Sequence, residues 1–596
     1  MASLDTGAYK DLYHDYASDD QARIEERKLV GGLEADGLYS DATFPASGSS
    51  LYYNEFQPPK YGIPAELVEW NRIGACEIEG CVEPVVVDES PGGGGVVQGA
   101  IRDRWFLSSL GLVQTKPEML AQVLVSSALW KKGIYTCKFF KAGKWRYVHV
   151  DDRIPCDRGG RPHYARSPNP NEVWVMVVEK AFAKLHSCYE AIVGGGLEEG
   201  LKDVTGRPTS LFAFQTPEFA PKVADGSLWT EMQDLMARGS VIGVCDNRKA
   251  REALDPIGLD NAPAGLLKAH VYVVEKMITC EAEATAEYDA LEAKMVLLKN
   301  PWQLGKWNGN WCFDSPLWRQ YPPFAAACGM GNNGDDFKAS SPNSVWMEWA
   351  DFVTQFDTLI LTQEYAKEGA KMTYRGTWVP GDTKSGAGGG PSESTWGSNP
   401  QYVFDVTEVT RFCASLSQAD LRWHDSAASL GDEPPPVGFV IQHVPGGRRA
   451  AKFKAAACSG GPPGYQAQRT VTAPCLLQPG SYALVPSTLA AGAVAQAFVV
   501  EMHADALINF QNADDDMPDL DVEDDDPDNV SPADGEAAAK YVALPNAAPL
   551  PEPEGRELAA LWSQAAGLAT FLKDLTKQNE ALETKITAME NGSSSD

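Results

Sequence analysis

A run of glycines, Gly92–Gly95, feeds directly into an apolar segment, and this junction constrains the chain more than any other stretch. Residues 98–110 read QGAIRDRWFLSSL, with Trp105, Phe106, Leu107 and Leu110 at the apolar positions. The pattern predicts a flexible loop running into a buried helix. The N-terminal end of such a helix stabilises an anion, so it is a place where a thiolate could be held. The residue at that end is Arg104. Its guanidinium stays protonated, with a pKa above ~12, and cannot attack an acyl carbon.

A chain of 596 residues predicts several domains, because single cores stop growing at roughly 250–300 residues. Hydrophobic residues make up 44% of it, with 16 Trp, enough to fill sizeable cores. The formal net charge of −30 disfavours nucleic acid and anionic membrane as general partners, since both want basic surfaces. The 12 cysteines form no C-x-x-C pair and no cluster with zinc spacing. The first twenty residues have no apolar core of the signal-peptide kind, and no run of ~18 apolar residues occurs. A reducing, cytoplasmic setting without a membrane span is expected.

Residues 1–37 are polar and read as a flexible or partly helical extension. Tyr135–Phe140 and Trp145–Val150 alternate around a short Lys-Ala-Gly-Lys turn, which predicts a hairpin. Residues 165–195 read as one long, largely buried helix. Strands are expected at 438–444, 481–485 and 497–502. Asp514 to Asp528 holds ten carboxylates in fifteen residues and lacks the order of an EF-hand loop, which predicts a solvated, disordered linker. Farther on, Leu561, Leu568, Leu575, Leu582 and Met589 recur every seven residues, with Leu558, Ala565, Leu572, Asn579 and Ile586 at the companion positions. Five heptads argue for a coiled coil, and Asn579 at a core position favours a parallel, in-register pair.

The stretch around Arg104 resembles the active-site segment of the calpain family of cysteine proteases, Gln-Gly-x-x-Gly-Asp-Cys-Trp-Phe-Leu. Gln98, Gly99, Asp103, Trp105, Phe106 and Leu107 match, while Arg102 stands at the glycine and Arg104 at the nucleophilic cysteine. Three further segments resemble the family in the same order. They are the Trp/Glu-Lys-Ala/Tyr-Glu-Ala run within 165–195, the strand-like GLLKAHVYVVEK carrying His270, and Asn300-Pro301-Trp302. From Thr373 the chain resembles the family's β-sandwich domain, through Trp378, Trp396, Asn399, Pro400, Gln401 and the 479–488 segment. The resemblance implies an α+β fold: a papain-like calpain protease core, an antiparallel β-sandwich, then the C-terminal coiled-coil helix. The implied boundaries are an extension at 1–37, core at 38–365, sandwich at 366–510, acidic and Pro-rich linker at 511–553 and coiled coil at 554–591.

It also implies a vestigial site. Gln98 matches the oxyanion-hole glutamine, His270 the catalytic histidine, Asn300 the residue that orients it and Trp302 its flanking tryptophan. Calpain cores use two calcium ions, whose ligand positions correspond here to Gly95 and Glu172 at one site and to Lys306 and Phe313 at the other. Of these only Glu172 is a carboxylate, and calcium needs several anionic or carbonyl oxygens, so no metal and no cofactor are expected. The expectation is a pseudoenzyme with no peptidase activity, acting as a structural or interaction subunit. Non-proteolytic calpain-like proteins occur in cytoskeletons and flagella, so a cytoskeletal or axonemal setting is implied. Partners would be held through Leu558 to Met589, a homodimer being one form. The alternative is an active intracellular calpain-type cysteine endopeptidase with an unrecognised nucleophile.

Overall fold

The computed structural model describes residues 11–59, 62–88, 94–217, 219–246, 264–267, 270–302, 306–330, 343–423, 434–446, 449–462, 464–492 and 495–513. The expected coiled coil and nearly all of the acidic linker lie outside the described residues.

The N-terminal segment contains a helix, Asp19–Val30, and it is docked. Ser18 accepts a hydrogen bond from the Gln21 amide and caps the helix start, where Asp19 and Asp20 suit the positive end. The helix packs on a three-stranded sheet of Leu124–Ser126, Ile134–Lys141 and Lys144–Asp151. Asp15 pairs with Lys144 and Arg146, and Asp19 with Lys138 at 2.6 Å. The expected hairpin is the second and third strand of that sheet. Ala142 and Gly143 turn it with φ of 49° and 77°, the left-handed pair that a two-residue hairpin loop requires.

In the first half of the core, helices pack with this sheet. Arg104–Val113 and Trp174–Leu185 contribute to one apolar cluster, where Phe106 and Phe182 stack with ring centroids 3.8 Å apart. The single long helix expected over 165–195 is shorter than that. Pro168 and Pro170 lie in a turn that Asn169 and Ser167 hold through side-chain bonds to the backbone. Only Trp174–Leu185 is α-helical, and Ser187 at φ 83° follows its end.

The second half is a six-stranded antiparallel sheet. Its spatial order is Ser344–Glu348, Leu291–Lys299, Tyr272–Ala282, Ile242–Cys245, Thr358–Thr362, Thr209–Ala213. The stretch expected as a strand over 265–276 is extended as a strand only from Tyr272, so His270 sits just ahead of the sheet. The halves share a core: Val271, Val273, Trp302 and Ile360 join the same cluster as Leu107 and Leu110.

Beyond Lys371 the chain forms two antiparallel sheets. One orders Lys371–Trp378, Gln496–Ala504, Thr410–Gln418 and Thr470–Leu477. The other orders Cys458–Gly460, Val437–His443, Gly480–Thr488, Tyr402–Val406 and Phe510–Asn512. Inward residues such as Trp378, Phe404, Phe412 and Phe498 fill the space between them, as a sandwich requires. The three strands expected there are present: the first is shifted by one residue to Val437–His443, and the other two are lengthened at both ends.

Candidate active site

Arg104 begins the helix Arg104–Val113, and its Nε donates to Gln98 Oε1 at 3.1 Å. Gln98 Nε2 in turn donates to the Ile101 carbonyl at 2.8 Å, which closes the loop over 98–101. The side chain matched to the oxyanion-hole glutamine therefore holds the guanidinium of its own loop. Gly99 is required by close approach: a Cβ there would lie 2.2 Å from the Tyr164 carbonyl carbon.

On the other half, His270, Asn300 and Trp302 come together. His270 is buried and meets the Trp302 ring edge-on, with centroids 5.2 Å apart. Asn300 Oδ1 accepts from the Trp302 amide at 3.1 Å, and the Asn300 amide donates to the Asn343 carbonyl at 2.8 Å. The two sides are tied by backbone: the Val96 amide donates to the Pro301 carbonyl at 2.9 Å. Pro301 also packs on the site helix, where a Cβ on Gly111 would approach it to 3.0 Å. The five residues picked out from the sequence thus fall into two groups, Gln98 with Arg104 and His270 with Asn300 and Trp302, whose segments are joined through Pro301.

Beneath the helix start lies a feature that pattern reading missed. Asp103 and Glu179 are both buried. Burial pushes the Asp103 carboxyl up to about 7, against the pull of the Arg104 charge. Burial and the nearby Asp103 charge raise Glu179 well above its ordinary value. Two buried carboxyls near each other cannot both ionise readily in a low-dielectric site, so each disfavours the charged form of the other. Glu179 also accepts the Ala165 amide on both oxygens, at 3.1 and 3.0 Å. The signal was present in the sequence: Glu179 interrupts the otherwise apolar run WVMVV before Lys180, and a buried acid needs a partner.

The residues at the inferred calcium positions do not fit that ion. Glu172 is buried with Oε1 accepting the Asp88 amide at 2.8 Å and Oε2 accepting the Ser167 hydroxyl at 2.5 Å. Gly95 offers no carboxylate, Lys306 is an exposed cation and Phe313 is 54% exposed. Among the described residues no group of three or more His, Cys, Asp or Glu is placed to hold a metal.

The family described as "Calpain family cysteine protease" matches residues 39–363, more than half of the sequence. The chain belongs to the calpain family of cysteine proteases. Residues 374–503 match the calpain large subunit domain III, which is the sandwich described above. Similar proteins include the calpain-type cysteine protease DEK1 of Zea mays, 28% identical over 82% of this chain and 22% of its own length. The calpain-2 catalytic subunit of Mus musculus is 27% identical over 69% of this chain and 57% of its own. Calpain-A of Drosophila melanogaster is 27% identical over 82% of this chain and 58% of its own. The chain therefore spans between about a fifth and three-fifths of these relatives.

This membership corrects one expectation. Reading Arg104 at a single aligned position placed the chain outside the enzymes. The match over the whole core, together with relatives named as calpain-type cysteine proteases and as calpains, places it in a peptidase family instead. One residue decides which atom could react, whereas the family is decided by the packing of hundreds.

No helix among the described residues is long and apolar enough to cross a membrane.

Proposed function

We propose that this calpain-family chain serves as a structural or interaction subunit, in a cytoskeletal or flagellar assembly, and that its core and sandwich present one binding body. The observation that carries the reading is the Arg104–Gln98 hydrogen bond at the head of the site helix. A guanidinium with five donors in a fixed fork is a recognition group, suited to carboxylates and carbonyls of a partner. The C-terminal heptads, Leu558 to Met589, supply a means of tethering. An isolated helix of that length is marginal in water, so the apolar seam favours pairing with itself or with a partner helix. The acidic segment before it suits an extended tether, because its carboxylates repel one another.

The test is light scattering and cellular localisation of the full chain and of a chain lacking residues 554–596. The reading expects the deletion to lose self-association or incorporation into an assembly. A monomeric full chain whose deletion reaches the same cellular site would refute it. A second reading, favoured by the family match, is a calpain-type cysteine endopeptidase whose thiol comes from a residue other than 104. Casein cleavage by purified protein, lost on thiol alkylation, would support it.

A further inference from the structure

All 12 cysteines are free thiols, and two pairs of them bring their sulfurs into contact. Cys280 and Cys328 lie with Sγ atoms 3.9 Å apart, and both are buried. Cys76 and Cys156 lie closer, at 3.7 Å, and Cys76 is only half-buried. A solute thus has a way in to the second pair that the first pair lacks.

The backbone sets these two sulfurs against each other. Glu69–Arg72 pairs antiparallel with Arg153–Cys156, and the short helix Ile73–Ala75 then turns the chain. Cys76 Sγ lies 3.5 Å from the Arg72 carbonyl oxygen, and Cys156 Sγ lies 3.3 Å from that of Ile154. The next residue fastens the same corner, where the Glu77 amide donates to the Gly160 carbonyl at 2.9 Å. A disulfide needs its sulfurs at about 2.05 Å, so closure draws two side chains that already point at each other together by roughly 1.7 Å.

The strand that ends at Cys156 leads to the bed of the site loop. Cys156 bridges to Pro162, and the His163 amide donates to the Pro155 carbonyl at 3.0 Å. The His163 carbonyl accepts the Ala100 amide at 2.9 Å. Val97 and Arg166 exchange both backbone hydrogen bonds, at 2.8 and 3.0 Å. The amides of Val97 and Ala100 therefore rest on a segment anchored at Pro155 and Cys156. A covalent tie from Cys156 to Cys76 removes the local openings in which that corner comes apart.

We infer that Cys76 and Cys156 form a reversible disulfide by exchange with a small disulfide such as glutathione disulfide, and that its closure steadies the site loop 97–100. The hydrogen bond between the two thiols favours the thiolate on Cys156 and, with burial, holds the Cys76 thiol above its ordinary value. Only Cys76 is open to a solute, so entry is through its thiolate and is faster at mildly alkaline pH. Cys76 Sγ attacks one sulfur of glutathione disulfide, the S–S bond of the reagent breaks, and one glutathione leaves. Cys156 Sγ then attacks Cys76 Sγ, the Cys76–Cys156 bond forms, and the second glutathione leaves. The chain gives up two protons and two electrons, and the two departing glutathione thiols carry them. In a reducing setting such a bond opens and closes with the thiol pool, which makes it a sensor rather than a fixed staple.

The experiment holds the full-length protein in mildly alkaline glutathione buffers of rising disulfide-to-thiol ratio. Remaining thiols are blocked with N-ethylmaleimide, and cross-linked peptides are mapped by mass spectrometry. A peptide joining Cys76 to Cys156 should accumulate with the ratio and vanish in excess dithiothreitol. In Cys156→Ala, Cys76 should instead carry one glutathione. Hydrogen exchange of residues 97–100 should slow by about threefold or more in the oxidised chain, and not in the treated Cys156→Ala chain. Absence of the Cys76–Cys156 peptide in glutathione disulfide alone, or a peptide joining Cys76 to Cys81 in its place, would overturn the site. Unchanged exchange at 97–100 with the bond formed would overturn the coupling to the site loop. The peptide map and the exchange of the oxidised and reduced chains use the native sequence, so both tests stand even if the variant folds poorly.

Discussion

Two clusters of buried ionisable groups in this molecule are built on opposite principles. Under the site helix, Asp103 and Glu179 are both acids, and burial raises the pKa of each so that the protonated form is favoured. At the seam between core and sandwich the charges are balanced. Lys141, Arg422 and Arg469 face Asp203, Asp420 and Glu199. Arg469 Nη2 donates to Asp203 Oδ1 at 2.8 Å and its Nη1 to Asp420 Oδ2 at 2.8 Å. Burial alone would raise both aspartates, but Arg469 and Lys141 hold Asp203 below its ordinary value, and Arg422, Lys141 and Arg469 hold Asp420 well below. A second pair, Lys202 with Glu501, crosses the same seam. The contrast shows how one fold buries ionisable groups either by neutralising them with protons or by pairing them, with different consequences for pH and for mutation. The clusters are also linked. Arg422 stacks over the Trp105 ring, 4.5 Å from its centroid, and Trp105 Nε1 donates to the Ile192 carbonyl at 2.9 Å. The residue after Arg104 thus touches the sandwich.

Breaking the balanced cluster should have the largest effect. Asp203→Ala leaves Lys141 and Arg469 buried with half their counter-charge, and removing one partner of a buried pair costs about 3–5 kcal/mol. Urea unfolding should show that loss, together with faster proteolysis between core and sandwich. A change under about 1 kcal/mol would mean that the seam is hydrated and the contrast is overstated.

The buried acid pair should respond to pH instead. Asp103 has a folded pKa near 7, above its ordinary value of 3.8. The folded state therefore binds more protons than the unfolded state between those values. Its stabilising effect is complete below the unfolded pKa and is lost as pH rises through the folded one. Stability at pH 5 should exceed that at pH 8 by about 1–3 kcal/mol from this pair, and Asp103→Asn should flatten the slope. An unchanged slope in the variant would assign the pH dependence to other groups.

Arg104→Ala should cost less, about 1 kcal/mol, by leaving Gln98 Oε1 without its guanidinium donor. Thermal unfolding measures it, and a variant that gains stability would show that the cation is held under strain. The smallest effect is expected at the N-terminal helix. The Tyr16 hydroxyl bonds His149 Nε2 at 3.0 Å, and Thr136 Oγ1 bonds its Nδ1 at 2.8 Å. Burial lowers the His149 pKa to about 3, so the imidazole is neutral in the fold. Its contribution is present above the unfolded pKa of 6.5 and fades as pH falls below it, opposite in sign to Asp103. Tyr16→Phe should lose about 0.5–1 kcal/mol, read by hydrogen exchange in the segment that docks on the sheet.

Much of this architecture is legible in the sequence because it rests on local pattern. The apolar positions of 105–110 mark the site helix, and the Lys-Ala-Gly-Lys turn marks the hairpin. The strands at 438–444, 481–485 and 497–502 announce themselves by composition. What escaped is non-local. Asp103 and Glu179 meet only when two helices cross, and Asp203, Asp420 and Arg469 come from parts of the chain that nothing in their immediate sequence connects. The length of the helix around Glu179 is obscured for the opposite reason, since Pro168 and Pro170 set a local boundary that the long apolar run beyond them masks. At the site, the residue identities were visible but their arrangement was not. Nothing local says that Gln98 turns toward Arg104.

The central claim is that the Arg104 site and the C-terminal heptads serve to hold partners. It is tested most directly by affinity purification of the tagged full-length chain, its Arg104→Ala variant and its 554–596 deletion from cells, followed by quantitative mass spectrometry. The account predicts a stoichiometric partner set that the deletion loses and the Arg104 variant depletes several-fold. Recovery of the same proteins at the same level with all three chains would contradict it.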